Sequence, residues 1–317
     1  MLRLFQIQRG KIKETYAGSD YHSQPLSDAA WIDLQDPQED ERDLLEQLLR
    51  TELPESDDVD EIESSARFFV DSAGIHVHSL YLTQSEGRHD TSTAAFILQP
   101  QRLITVRDTE LADFRLLRMR ARRNQVEAHN AQELLILLFE QKVENLADAL
   151  EDNYLTLGEV SHLVLEDEEA DLEEAIDHLA KLEDSNGKIR LCLMDTQRSI
   201  AFLQRHLKDD PELRESCWGI LRDIDTLMSH TTFLFEKINF LMDSTQGFIS
   251  IEQNKIIKIF SIAAVVFLPP TMVASIYGMN FEHMPELEWL LGYPWALLLM
   301  LMAGMAPYLY FKKKGWL

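Results

Sequence analysis

The sequence predicts an α+β soluble domain, a long helical stalk and two C-terminal membrane-spanning helices. Short apolar or alternating runs, which are typical of β-strands, are confined to about the first 110 residues. From Leu111 onward the apolar residues recur at helical spacing instead. Two long apolar runs without charge close the sequence, and the membrane part is therefore expected to be all-α.

The strand-rich part contains six short runs that predict strands: Leu2–Ile7, Ala30–Leu34, Ala66–Val70, Ile75–Leu82, Ala94–Leu98 and Leu103–Val106. Turn residues at Asp71–Gly74 and Gln99–Gln101 indicate hairpins between neighbouring strands. Pro37 followed by Gln38–Arg50 predicts the beginning and the body of one helix within this part.

The helical part predicts three helices before the membrane: Ala112–Arg123, Ala131–Val160 and Leu172–His206. Between the last two, Glu166–Glu174 holds seven carboxylates in nine residues, and we interpret it as the tip of a helix hairpin. Asp210 and Pro211 then signal a new helix start. Because no further proline occurs before Pro269, one helix is expected from about Glu212 to Tyr277, about 100 Å long.

Two charge-free runs, Ile259–Tyr277 and Trp289–Phe311, have 19 and 23 residues. As helices, each can cross a hydrocarbon core of about 30 Å. The loop between them contains no Lys or Arg, whereas Lys255 and Lys258 precede the first run and Lys312–Lys314 follow the second. The positive-inside rule then predicts a multi-pass membrane protein with both termini in the cytoplasm and the loop outside.

These patterns divide the chain into six predicted parts. They are a cytosolic α/β domain at 1–130, a helical hairpin and stalk at 131–258, a first transmembrane helix at 259–277, an external loop at 278–288, a second transmembrane helix at 289–311 and a basic cytosolic tail at 312–317.

Composition narrows the function classes. The 30 Lys and Arg against 54 Asp and Glu give a formal net charge of −24, which argues against nucleic acid as a partner because phosphate binding needs a basic face. The acidic excess suits a protein that handles cations, although a solvated acidic surface accounts for most of it. The sequence holds no His-Glu-x-x-His, nucleophile elbow, Cys-x-x-Cys or phosphate-binding loop, so we do not expect an enzyme or an ATP-driven pump.

One face of the long helix is small or polar over most of its length. Alternating steps of three and four residues select Asp243, Gly247, Ser250, Asn254, Ile257, Ser261, Ala264, Leu268, Thr271, Ser275 and Gly278. Such a face either packs closely against another helix or lines a water-filled path. The polar members Asn254, Ser261 and Thr271 favour the water-filled path. Ile257 and Leu268 interrupt the stripe and are candidates for hydrophobic gates.

The residues Tyr277, Gly278, Met279 and Asn280 end the first span. Phe281 and Glu282 follow, and the loop continues as Met284-Pro285-Glu286-Leu287. Placed between two terminal spans, this motif and loop resemble the CorA family of magnesium channels. The stretches Arg190–Arg198 and Ile251–Phe260 also resemble enterobacterial-type members.

The resemblance implies a homopentamer in the bacterial inner membrane, with a cytosolic α/β/α sandwich and a pore lined by the first span. It implies that Asn280 meets a hydrated Mg²⁺ at the outer mouth while Tyr277, Gly278 and Met279 hold the turn. Pore-lining roles then fall to Asp243, Asn254, Ile257, Leu268 and Thr271, and Ser261 and Ser275 share their stripe. A capping role for Asn280 is the alternative.

The expected function is passive, potential-driven Mg²⁺ uptake, with Co²⁺ and Ni²⁺ as further candidate ions and membrane lipid as the surroundings. Glu282 and Glu286 either concentrate cations at the mouth or belong to an ordinary solvated loop. The resemblance implies closure by intracellular Mg²⁺ on the cytosolic domain, where Asp223 and Asp225 are either ligands or solvated stalk charges. No cofactor is expected beyond Mg²⁺ as transported and regulatory ion. The alternatives are a zinc or broad divalent-cation transporter of the same fold and a non-conducting, membrane-tethered cation sensor.

Overall fold

The structure, a computed structural model, describes residues 1–18, 26–39, 42–43, 46–47, 67–85, 87–167, 170–207, 210–280 and 282–315. The chain forms two compact units, Met1–Met242 and Asp243–Leu317.

The first unit is built on a seven-stranded sheet. Its strands are β1 (Leu2–Gln8), β2 (Lys11–Gly18), β3 (Trp31–Gln35), β4 (Phe68–Val70), β5 (Ile75–Ser85), β6 (Arg88–Leu98) and β7 (Leu103–Arg107). The order is β2-β1-β3-β7-β6-β5-β4, and β3 and β7 form its parallel pair while the other neighbours are antiparallel.

The predicted strands are confirmed within the described residues, which leave out Ala66. Both predicted turns are also confirmed. The carboxylate of Asp71 accepts hydrogen bonds from the backbone N–H of Ala73 and Gly74 at 2.8 and 3.1 Å, and the N–H of Gln99 donates to the carbonyl of Arg102 at 2.9 Å. Gly74 has a φ of 151°, a conformation that favours glycine. The predicted helix Gln38–Arg50 lies largely outside the described residues.

Both faces of the sheet are buried, because successive strand residues point to opposite sides. On β3, Trp31 belongs to the core shared with the helices, whereas the next residue, Ile32, belongs to a separate cluster on the other face. Phe96 and Ile97 of β6 divide in the same way. The described helices of this unit pack on the Trp31 face.

Three helices of the first unit are α1 (Ala112–Arg122), α2 (Ala131–Glu166) and α3 (Leu172–His206). Asn130 caps α2 by accepting a hydrogen bond from the N–H of Glu133 at 2.8 Å, and Glu133 accepts one from the N–H of His129 at 2.8 Å. α3 has the predicted bounds, whereas α2 continues past Val160 because buried Val164 extends its apolar face. The two form a hairpin, and Ser185 of α3 donates to Asn153 of α2 at 3.0 Å.

The next helix, α4 (Pro211–Tyr277), has 67 residues and continues from the first unit into the second. The side chain of Asp210 accepts hydrogen bonds from the N–H groups of Glu212 and Leu213 at 2.9 and 3.2 Å and so caps it. The final helix is α5 (Gly292–Lys313). Both helices contain stretches long and apolar enough to cross a membrane. The fold is thus the predicted α+β domain with a long helix and C-terminal helices.

Candidate functional site

The polar stripe of α4 lies on an exposed face of the second unit. All of its predicted pore-lining residues are exposed: Asp243, Asn254, Ile257, Ser261, Leu268, Thr271 and Ser275. The two bulky members, Ile257 and Leu268, are 60% and 64% exposed, and so are apolar side chains off the stripe, such as Phe267 at 68%. The stripe is therefore a surface on which a single copy of the chain buries little.

The opposite side of α4 packs against α5. Its partly buried positions in the membrane part include Ile262, Val266, Pro270, Val273 and Tyr277, spaced by three or four residues. On α5, buried and partly buried residues recur at the same spacing: Gly292, Ala296, Met300, Gly304, Pro307 and Phe311. A Cβ atom added at Gly304 would lie 3.2 Å from Cγ of Pro270, so the two faces meet. α5 thus covers one apolar side of α4, whereas the polar stripe and apolar side chains such as Phe260, Phe267 and Met272 stay exposed.

Two prolines interrupt the backbone hydrogen bonds beside Leu268. Pro269 and Pro270 have no N–H, so the carbonyls of Val265 and Val266 lose their helical donors. The hydroxyl of Thr271 donates to the carbonyl of Phe267 at 2.8 Å, which ties the next turn together. The helix remains continuous through this point, and a side chain of the stripe supplies one of the local bonds.

The motif residues form the last turn of α4 and the start of the loop. The N–H of Gly278 donates to the carbonyl of Ala274 at 3.0 Å, and that of Met279 donates to the carbonyl of Ile276 at 3.2 Å. Asn280 follows with its side chain exposed. Gly278 is tightly placed, since an added Cβ would lie 3.2 Å from the carbonyl oxygen of Ala274. The turn therefore presents the Asn280 amide to the surroundings.

The loop is closed by a short 3-10 turn at Pro285–Leu287 and by Gly292. A Cβ added at Gly292 would lie only 2.1 Å from the carbonyl oxygen of Glu286, an approach that only glycine permits. Glu282 and Glu286 are both exposed, and Phe281 lies outside the described residues. Gly292 could not be singled out from residue patterns, because the atom that it approaches belongs to the backbone of the turn.

The two candidate regulatory carboxylates of the first unit have different surroundings. Asp223 lines an open pocket of about 480 Å³ together with Glu140 and Glu144 of α2. Burial, with the charges of Glu144 and Asp223, raises the pKa of Glu140. Asp225 instead accepts a hydrogen bond from Nε2 of Gln197 at 2.9 Å.

Sequence reasoning missed Glu140 and Glu144. Their spacing of four places them on one face of α2 and could have indicated a pair. Within the described parts of one copy, no three His, Cys, Asp or Glu side chains converge to hold a metal ion.

A buried polar cluster joins α2 and α3 to the sheet. Nζ of Lys142 donates to the hydroxyl of Ser79 at 2.8 Å, and that hydroxyl donates to Asp195 at 2.6 Å. Arg67 donates to the other oxygen of Asp195 at 3.0 Å. Burial lowers the pKa of Lys142 despite the attraction of Asp195. Sequence patterns did not reveal this cluster, because its members come from four separate segments.

The α+β domain is continued by a long helix, and the apolar end of that helix contacts a second apolar helix. This architecture is that of a helical membrane protein with a large extramembrane domain. Residues 27–313 match the family model described as CorA-like Mg²⁺ transporter protein. The chain belongs to this family of transport proteins.

Similar proteins agree over the full length. The magnesium transport proteins CorA of Escherichia coli K12 and Salmonella typhimurium LT2 are 49% and 48% identical over 319 residues, with all of each chain covered. The CorA magnesium transporter structure from Methanocaldococcus jannaschii has a TM-score of 0.76 at 19% identity and covers 100% of this chain and 99% of its own. The ZntB cytoplasmic domain from Vibrio parahaemolyticus has a TM-score of 0.57 at 14% identity and covers 78% of this chain and 97% of its own. At these sequence identities, the two structures support the fold alone.

Proposed function

We propose that this chain transports Mg²⁺ as a passive channel, assembled as a homopentamer in a bacterial inner membrane with both termini cytoplasmic. Its near-half identity to two magnesium transport proteins supports the ion. The observation that carries the channel mechanism is the small and polar stripe along α4, which lies exposed on a different side of the helix from the positions that α5 covers. Several copies that turn their stripes toward one axis would enclose a polar path.

The proposed outer mouth is a ring of Asn280 side chains. Magnesium sheds its water reluctantly and prefers rigid octahedral oxygen coordination. Neutral amide groups can hydrogen-bond the water shell without stripping it, whereas carboxylates at that point would hold the ion strongly. The exposed carboxylates of Glu282 and Glu286 would raise the local cation concentration instead.

The proposed path continues down the stripe from Ser275 and Thr271 through Ser261 and Asn254 to Asp243. Rings of Leu268 and Ile257 interrupt it and would close the pore by dewetting. Because both side chains are exposed in one copy, equivalent residues of neighbouring copies are their natural partners.

In this proposal, divalent ions bound between neighbouring cytosolic domains regulate the opening of the pore. Asp223, with Glu140 and Glu144 beside it, forms the stronger of the two candidate acidic surfaces. Burial, together with repulsion from Glu144 and Asp223, raises the pKa of Glu140, and a bridging cation would relieve the repulsion. Asp225 is held by Gln197 and would contribute less. Loss of the bound ion when cytosolic Mg²⁺ falls would then shift the population toward the open state.

The driving force is the membrane potential. Two charges crossing 100 mV gain roughly 4.6 kcal/mol, which is sufficient for uptake into a negative interior without a nucleotide. Co²⁺ and Ni²⁺ share the +2 charge and are further candidate ions. A zinc transporter of the same fold is less favoured, since the chain has the Gly278-Met279-Asn280 motif and is 49% identical to a magnesium transport protein.

The test is Mg²⁺ entry into proteoliposomes that contain the purified chain, an internal chelating indicator and an inside-negative potential. Wild type should admit Mg²⁺, and Asn280→Ala should lose most of that entry. His283→Ala, a change at an exposed residue of the same loop that lies outside the stripe, is the matched control and should retain it. If Asn280→Ala still admits Mg²⁺, the residues that select the ion lie elsewhere than at the mouth. If wild type admits no Mg²⁺, the non-conducting sensor is favoured.

A further inference from the structure

A glycine of α5, Gly304, lies against the proline break of α4. A Cβ placed on Gly304 would lie 3.2 Å from Cγ of Pro270 and 3.5 Å from the carbonyl oxygen of Val266. The first distance is tighter than ordinary van der Waals contact. A side chain at this position therefore requires either α4 or α5 to move.

Gly304 also lies near the carbonyl of Val266, which lacks its usual helical hydrogen bond because residue 270 is a proline. The carbonyl of Val266 would normally accept the N–H of residue 270, which proline lacks. In a membrane such a carbonyl needs neighbouring groups to satisfy it. The Cα–H groups of a glycine can approach a carbonyl closely and form weak hydrogen bonds. Gly304 thus suits the break both sterically and electrostatically.

The contact also has a definite direction relative to the polar stripe. Pro270 is two residues from Leu268, which is about 200° around a helix of 3.6 residues per turn. Pro270 is half-buried on the α5 side, whereas Leu268 is 64% exposed on the other side. Bulk added at residue 304 therefore pushes α4 toward the side on which Leu268 lies.

We infer that Gly304 is a positioning residue, which sets how far the Leu268 gate stands from the pore axis by letting α5 approach α4 at Pro270 and Val266. This inference rests on the proposed channel function. Bulk at residue 304 would displace the Leu268 ring inward and favour the closed pore. To accommodate a methyl group at residue 304, the neighbouring atoms must move by only a few tenths of an ångström, whereas a leucine side chain requires a larger displacement.

The test compares Gly304→Ala and Gly304→Leu with the matched control Ala306→Leu. Ala306 lies two residues further along α5 and is exposed, on the side away from α4. The first readout is the internal Mg²⁺ concentration that halves Mg²⁺ entry into proteoliposomes. We expect Gly304→Leu to lower it at least about fivefold, Gly304→Ala to lower it less, and Ala306→Leu to leave it near wild type.

The second readout is the melting temperature of the full-length protein in detergent, which does not depend on transport. Gly304→Leu should melt below Ala306→Leu, and equal melting would overturn the contact. If Gly304→Leu melts at a lower temperature but needs the same internal Mg²⁺ concentration as wild type to halve Mg²⁺ entry, Gly304 is a purely structural residue. That result would overturn its role at the gate. If wild type admits no Mg²⁺, the proposed function fails together with the gating role, while the melting comparison still decides the contact.

Discussion

Arg107 of β7 donates from Nη2 to Oδ2 of Asp33 on β3 at 3.0 Å, and neither side chain is exposed to solvent. A second bond runs from Nε of Arg107 to Oδ1 of Asp33 at 3.2 Å, and the hydroxyl of Thr105 donates to the same oxygen at 2.9 Å. Burial by itself raises the pKa of Asp33, but the charges of Arg107 and Arg118 bring it below its usual value. The pair thus joins the two central parallel strands of the sheet.

Replacing Asp33 with alanine should destabilise the protein by about 3 kcal/mol, because the buried Arg107 loses its fully buried carboxylate partner and keeps only the partly exposed Glu110. The measurement is the melting temperature and the urea midpoint of the detergent-solubilised protein. The control is the double variant Asp33→Leu with Arg107→Met, which removes both charges and should recover much of the loss. A single variant as stable as wild type would show that the pair contributes little.

Asp113 of α1 should make stability depend on pH. Its side chain is buried near Lys142, and burial raises the pKa of the Asp113 carboxyl group from its ordinary value of about 4 to about 7. Between about pH 4 and 7 the folded state holds a proton that the unfolded state has released, so stability falls as the pH rises through this range. About three pKa units at 1.36 kcal/mol each set an upper limit of about 4 kcal/mol.

The variant Asp113→Asn removes this penalty. It should melt above wild type at pH 8, with the difference shrinking toward pH 4. The exposed Asp148→Asn on α2 is the matched control and should change stability little at either pH. A difference for Asp113→Asn that is the same at both pH values would contradict the buried titration.

The two proposed hydrophobic gates should respond to polar substitution. Leu268→Asn and Ile257→Asn would let water occupy the constriction, so Mg²⁺ entry should persist at internal Mg²⁺ concentrations that close wild type. The measurement is entry into proteoliposomes preloaded with graded internal Mg²⁺. Leu268→Ile keeps the constriction apolar and serves as the control. Normal closure in both asparagine variants would place the gate elsewhere.

The acidic pocket of the first unit should tune closure. Asp223→Asn reduces the negative charge beside Glu140 and Glu144 and should raise the internal Mg²⁺ concentration needed to close the channel. Asp225→Asn is the natural comparison, because Asp225 is exposed on the same helix but bonded to Gln197. We expect a several-fold shift for Asp223 and a smaller one for Asp225. Equal shifts would argue against a special role for the pocket.

Sequence patterns were reliable where one periodicity ran through an element. The bounds of α3 and the start of α4 near Pro211 followed from apolar spacing and capping residues. β2 was missed, because it lies at the sheet edge and Ile12 is its one fully buried residue. An alternation of this kind carries little hydrophobic signal.

The residues of the candidate site could be predicted from the sequence, but the contacts around them could not. The polar stripe could be identified from spacing on one helix, and the motif around Asn280 from its resemblance to a known family. The approach of Gly304 to Pro270, and of Gly292 to the carbonyl of Glu286, depends on how the chain packs in three dimensions, which the spacing of residue types does not show. The pocket of Asp223 with Glu140 likewise depends on how two helices pack.

The most direct test of the account is the dependence of Mg²⁺ entry on membrane potential, measured with the purified wild-type chain in nucleotide-free proteoliposomes. The interior is chelated, and the potential is set by a potassium gradient with valinomycin. The account predicts rapid entry at about −100 mV that falls steeply as the potential approaches zero, because the driving term of roughly 4.6 kcal/mol disappears. Entry that is absent at every potential, or that requires a nucleotide, would contradict a passive channel.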